Sequence, residues 1–162
     1  MAVKELLWKV LAWIVSCKPV ANYLIERAKR TPYFDLEGYM ERNWLYNGFD
    51  QPGYNPKRPS VRVHHILRKD LGRHKHDHPW DARTIVLRGY YIESRMNREN
   101  NLCVNIFMRG RGDTATIDYG EYHEITEVSP GGVWTLFITW KYHGTWGFWV
   151  DGKKIPWREY NQ

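Results

Sequence analysis

The stretch His74-Lys75-His76-Asp77-His78-Pro79-Trp80 lies near the middle of the 162-residue chain and decides how the rest is read. In an extended segment residues i and i+2 point to the same face, so His76 and His78 can present two imidazoles to one ion while Asp77 points away. Neutral imidazole binds Fe, Zn, Ni, Cu or Mn at about 2 Å, and a third ligand must then arrive from elsewhere in the fold. His123 is the best-placed candidate, because it opens a strand after the turn Tyr119-Gly120-Glu121. His74 is its nearest rival: it shares the face of His76 and His78, although three successive strand ligands converge poorly on one ion. Asp81 supplies a carboxylate if the ion takes a fourth protein ligand. All seven histidines fall between positions 64 and 143, and five of them between 64 and 78, so the imidazoles are gathered in one part of the chain.

That part has the rhythm of short strands. Val61–Leu67, Thr84–Glu93, Leu102–Met108, Ala115–Asp118, Tyr122–Val128, Val133–Trp140 and Phe148–Val150 are separated by Gly, Pro, Asn or Asp turns. Ser129-Pro130-Gly131-Gly132 is an explicit turn, and Asp151-Gly152 predicts a two-residue hairpin. Seven or so short strands in about a hundred residues predict a sandwich or a barrel.

Outward from the strands, the N-terminal third reads as helical. Val3 to Val15 carries apolar residues at spacings of three and four, and Pro19 can open a second helix running to Lys29. Thr31 to Pro59 is punctuated by Pro and Gly and reads as an arm of turns and short extended pieces. The expected organisation is one structural domain, with residues 1–60 as helices and arm packed on a β-barrel at 61–162. Ile14-Val15-Ser16-Cys17 resembles a lipoprotein cleavage box, but Glu5 and Lys9 interrupt the leader pattern, so a cytoplasmic location is expected, with export through Cys17 as the alternative.

A net charge of +6 would suit an anionic partner, yet Lys and Arg are scattered rather than blocked, so nucleic acid is not an expected partner, and neither is a membrane. Cys17 and Cys103 make no disulfide framework. Arg111-Gly112-Asp113 reads as an ordinary turn. A small-molecule substrate is the expected partner, and a homodimer is allowed for.

His76-Asp77-His78, then Gly89 ending an apolar strand, then His123 with Ile125, resemble the cupin superfamily, and within it the cysteine dioxygenase group. The resemblance implies a double-stranded β-helix, or jelly-roll barrel, in which His76, His78 and His123 hold a ferrous ion. His76-Asp77-His78-Pro79-Trp80-Asp81, Trp134 to Ile138, Trp146-Gly147-Phe148 and Pro156-Trp157 are also similar to small cupins of tailed bacteriophages, over about Tyr39 to Tyr160. Three departures stand out. Ala82 and Arg83 occupy the place of the general cupin glutamate, Arg83 stands where animal cysteine dioxygenases carry a cross-linked cysteine, and no histidine lies near Thr135.

The implied activity is that of a mononuclear Fe(II) dioxygenase-like oxidoreductase acting on a small molecule, with Zn, Ni or Mn as other ions the site could take. A non-catalytic metal- or ligand-binding cupin and a cupin-type isomerase or epimerase are the alternatives. Strand alternation puts Arg62 and His64 on one face as candidate substrate contacts; Arg83, beside the histidine motif, is a candidate anchor, and His143 and Trp146 are candidates around the pocket. Positively charged groups suit carboxylates or phosphates.

Overall fold

The computed structural model describes residues 2–97 and 103–160. Leu102, the expected start of one strand, lies outside them. Two helices come first, α1 (Ala2–Ser16) and α2 (Lys18–Ala28). Pro19 sits in the first turn of α2, where its missing N–H costs nothing. Cys17 is the N-cap of α2, and its Sγ donates to Trp13 O at 3.3 Å. Among the described residues no helix is long and apolar enough to cross a membrane.

Ten strands follow: β1 (Met40–Tyr46), β2 (Ser60–Ile66), β3 (Trp80–Arg88), β4 (Tyr90–Met96), β5 (Val104–Gly110), β6 (Thr114–Ile117), β7 (His123–Val128), β8 (Val133–Tyr142), β9 (Gly147–Val150) and β10 (Lys153–Pro156). One sheet has the order β1-β2-β8-β3-β6, with every pairing antiparallel. The second is built from β5-β4-β7 and the hairpin β9-β10. His76 joins its halves, bridging His123 on one side and Phe148 on the other. The inner faces meet over Ile66, Val86, Tyr91, Ile125 and Val133. These are two facing sheets rather than one continuous closed barrel.

Strand β1 falls inside the stretch read as an arm, and its pairing with β2 makes it an edge of the first sheet. The run Thr84–Glu93 is two strands, not one. Gly89 takes a φ of 81°, and a Cβ there would meet Ser129 Oγ at 2.6 Å and Gly132 O at 2.7 Å. Only glycine tolerates both, so the chain turns there from one sheet to the other. The Asp151-Gly152 hairpin forms as expected, with Val150 opposite Lys153 and both turn residues at positive φ.

The helices cover the outer face of the first sheet. Ala12, Val15, Ala21, Ile25 and Ala28 pack on Val63, Ile85, Leu87, Trp134 and Leu136. Alternation then sends Arg62 and His64 of β2, Thr84 of β3 and Thr135 and Phe137 of β8 to the inner face, where they line a cavity.

Candidate metal centre

The loop between β2 and β3 carries His76 and His78 into the space between the sheets. Its backbone is held like a strand: His76 and His123 exchange N–H···O bonds of 3.0 and 2.9 Å, and Asp77 N–H donates to Gly147 O at 3.1 Å. Asp77 turns away from the cavity and is fully buried. Its carboxylate accepts from Gly147 N–H and from Lys154 Nζ, both at 2.7 Å. Gly147 is needed there, because a Cβ would meet Ile155 O at 2.1 Å. The side chain between the two histidines is therefore the bolt that fixes them.

The rings of His76, His78 and His123 form a near-equilateral triangle, with centroids 5.2, 4.9 and 5.1 Å apart. One nitrogen from each lies within 4.8 Å of the others, and His78 Nε2 is 2.9 Å from His123 Nε2. Two nitrogens each about 2.1 Å from one ion, and at right angles, would sit about 3.0 Å apart. Burial, reinforced by the charge of His123, lowers His76 to about 4, and burial holds His78 well below its ordinary value. Both rings are neutral at neutral pH, so each has one lone-pair nitrogen to offer, which is what a divalent transition ion requires. The donor set fits such an ion, and three protein ligands leave positions open.

Behind His123 stands Glu93, a fully buried residue that the strand pattern did not single out. Its Oε2 is 3.5 Å from His123 Nδ1, while Oε1 accepts from Arg109 Nε at 2.8 Å and pairs with Arg95 at 3.0 Å. Burial alone would raise its carboxyl, but the facing His123, the charge of Arg95 and the hydrogen bond from Arg109 outweigh it and hold the group at about 2. A carboxylate on the far nitrogen fixes ring orientation and tautomer. The signal available in sequence was the pair Glu93 and Arg95, two apart on a strand that otherwise reads as buried.

The three histidines lie on the wall of a cavity of about 490 Å³, a size suited to a small molecule. Arg62 lines it, only 6% exposed, its guanidinium between the rings of Trp44 and Trp80 at 4.7 and 4.5 Å. Its Nε has no partner, no carboxylate pairs with it among the described residues, and burial pulls it below its ordinary value. Trp80, which reads in sequence as structural, is thus a cavity wall. Arg42 and Arg68 also line the space, against one acid, Asp70, which is held by Tyr39 Oη and Ile125 N–H. His64 stacks on Phe137 at 5.1 Å, with its Nε2 unpartnered. Trp146 lines the cavity 6.0 Å from the His76 ring.

Four sequence candidates lie elsewhere. His74 reaches the cavity wall but is outside the ligand triangle, its Nδ1 2.9 Å from Tyr160 Oη. Asp81 lies away from the cavity and outside the three-histidine cluster, bound by Tyr119 N–H and 3.1 Å from His143 Nε2. His143 is correspondingly not in the pocket and stacks on Tyr119 at 4.5 Å. Arg83 does not line the cavity. Strand parity turns it to the outer face, where it pairs with Glu5 of α1 at 2.7 Å and lies over Trp8.

No family model matches the sequence, and no curated protein is significantly similar to it. Solved structures do share the fold. Oxalate decarboxylase from Bacillus subtilis at pH 4.6 matches with a TM-score of 0.56 and 12% identity over 80% of this chain and 31% of that one. A second Bacillus subtilis oxalate decarboxylase structure, described by its Mn(II) centres, matches equally, at 12% identity over 80% and 31%. Hydroxypropylphosphonic acid epoxidase from S. wedmorenis gives 0.51 and 16% over 70% and 56%. The chain spans about a third of the decarboxylases and just over half of the epoxidase. At these identities the likeness establishes the fold, which is that of the cupins.

Proposed function

We propose that this chain is a mononuclear metal-dependent cupin acting on a small anionic molecule, with Fe(II) dioxygenase-like oxidation as its reaction. The observation that carries this is one cavity walled by three convergent imidazoles and by a buried guanidinium that has no acid to neutralise it. His76, His78 and His123 would hold a divalent transition metal. When bound, such an ion supplies a redox-active centre with vacant positions for substrate and oxygen. The described fold relatives, one with Mn(II) centres, support a metal-dependent reading without naming the ion.

The protein's own contribution is placement. Arg62, held flat between two indoles, is poised to take a carboxylate, phosphate or phosphonate through paired N–H donors. Glu93 keeps His123 facing the cavity. Trp146 and Phe148 wall the space beside His76 and exclude water.

A second reading rests on His64. Its unpartnered Nε2 in the same cavity is a candidate base for a metal-free isomerisation. Elemental analysis of protein purified without added metal separates the two. The metal-dependent reading expects near-stoichiometric iron, manganese or zinc, falling to background in His76→Ala, and O2 uptake on reconstitution with Fe(II). Protein with no transition metal and no affinity for one would sink it, and activity surviving chelation would favour isomerisation.

A further inference from the structure

Helix α1 is held to the outer face of the first sheet by one narrow face of its own. Ala12 and Val15 are buried in the core beneath it, Trp8 is half-buried beside them, and Glu5 ties to Arg83. At about 100° per residue, the side chains on the opposite face are Val3, Leu6, Leu7, Val10, Trp13 and Ile14. All six are exposed, by 72, 59, 64, 47, 69 and 44% respectively. They form one continuous stripe facing solvent. Lys9 borders one edge and Lys4 the other, and both are exposed. An apolar stripe carrying a Trp and flanked by lysines is the pattern of a helix lying in a bilayer interface.

We infer that α1 docks this chain on an anionic lipid surface. Charge selects this occupant over a second copy of the chain. The one acid of α1 is Glu5, on the barrel side and committed to Arg83, so two helices laid stripe to stripe would offer no carboxylate to Lys4 and Lys9. Anionic headgroups supply that charge, and Lys18 at the start of α2 adds a further exposed cation. With 15 residues the helix is about 22 Å long, short of the roughly 30 Å hydrocarbon core, so it lies in the surface rather than crossing it. Because α1 covers the outer face of the first sheet and the cavity opens on the inner face, docking leaves the histidine site free. This departs from the expectation that no membrane partner is needed.

The test is co-sedimentation of the full chain with vesicles of phosphatidylcholine, alone or mixed with phosphatidylglycerol, with light scattering of the protein without lipid. Binding to the mixed vesicles is expected, and little to the neutral ones. Leu7→Ser with Trp13→Ser should abolish it, at an unchanged melting temperature because neither side chain is buried. Lys4→Gln with Lys9→Gln should weaken it by about fivefold for each lysine on anionic vesicles only. His76→Ala should bind vesicles as the wild type does, which separates this inference from the metal reading. Wild-type protein that stays in solution with anionic vesicles overturns it. So does a dimer that Leu7→Ser with Trp13→Ser dissociates while vesicle binding is absent.

Discussion

Replacing Asp77 by alanine tests the claim that this carboxylate, and not the histidines themselves, sets the shape of the metal loop. The substitution removes two charge-assisted hydrogen bonds, from Gly147 N–H and Lys154 Nζ, each 2.7 Å long. Hydrogen bonds to charged groups contribute about 1.5–3 kcal/mol each. The Lys154 side chain is 24% exposed and can turn to water, so the low end applies to it, while the Gly147 N–H is left buried. The expected loss is about 3 kcal/mol. For a chain of this length that lowers the melting temperature by about 6–12 °C. Melts are followed by circular dichroism in the presence of a chelator, so that metal linkage does not enter. Loosening the loop also misplaces His76 and His78, and a shell of this kind is worth about 10- to 100-fold in metal affinity. Zn(II) competition against a chromophoric chelator reads that second effect. Asp77→Asn keeps an acceptor for Gly147 and should lose about half as much stability. An alanine variant melting within about 1 °C of wild type, with undiminished Zn(II) affinity, refutes the reasoning.

Arg62→Met keeps a long side chain between Trp44 and Trp80 but removes an uncompensated buried cation. Metal-free stability is expected to hold or to rise by about 1–2 kcal/mol, while stabilisation by phosphate or short dicarboxylates disappears. A clear drop in melting temperature with anion binding intact would show that the guanidinium serves packing alone. Glu5 is held below the ordinary glutamate value of 4.5, first by its hydrogen bond from Arg83. A lowered carboxyl contributes stability above its unfolded value and loses it as pH falls through the folded one. Amide exchange over residues 3–16 should therefore quicken below about pH 4.5 in the wild type but be pH-independent in Glu5→Gln, beyond the chemical exchange rate.

What was legible in the sequence was what periodicity and spacing encode. Two helices, seven of the strands' positions and the pair His76 and His78 follow from local pattern. What was missed has physical causes. Strand β1 hides between Pro- and Gly-rich turns because Met40-Glu41-Arg42-Asn43-Trp44-Leu45-Tyr46 has no apolar alternation and forms a strand only by pairing with β2. Strand β10, Lys153–Pro156, has no alternation and only Ile155 and Pro156 as apolar residues, and exists as the second arm of a hairpin. Gly89 was legible as the end of an apolar strand, but the apolar Tyr90-Tyr91-Ile92 after it let Thr84–Glu93 read as one run. Asp81 directly follows the motif in sequence, yet it points out of the cavity and pairs with His143, the residue after β8.

Two of the three buried arginines among the described residues, Arg62 and Arg83, show why the remaining part of the site could not be read from one strand at a time. They are 6% and 2% exposed, they belong to sheet neighbours on either side of β8, and both rest on indole rings. Alternation tells that each has a preferred face but not what that face meets. Arg83 faces a helix that brings Glu5, so its charge is answered within the chain. Arg62 faces a cavity whose acid, Asp70, is already taken by Tyr39 and the Ile125 N–H. Burying a guanidinium without an anion is costly, and at Arg62 only the faces of Trp44 and Trp80 offset it within the described residues. The anion that Arg62 lacks within the described chain is what the proposed substrate would supply, inside a cavity of about 490 Å³ whose walls also carry three histidines.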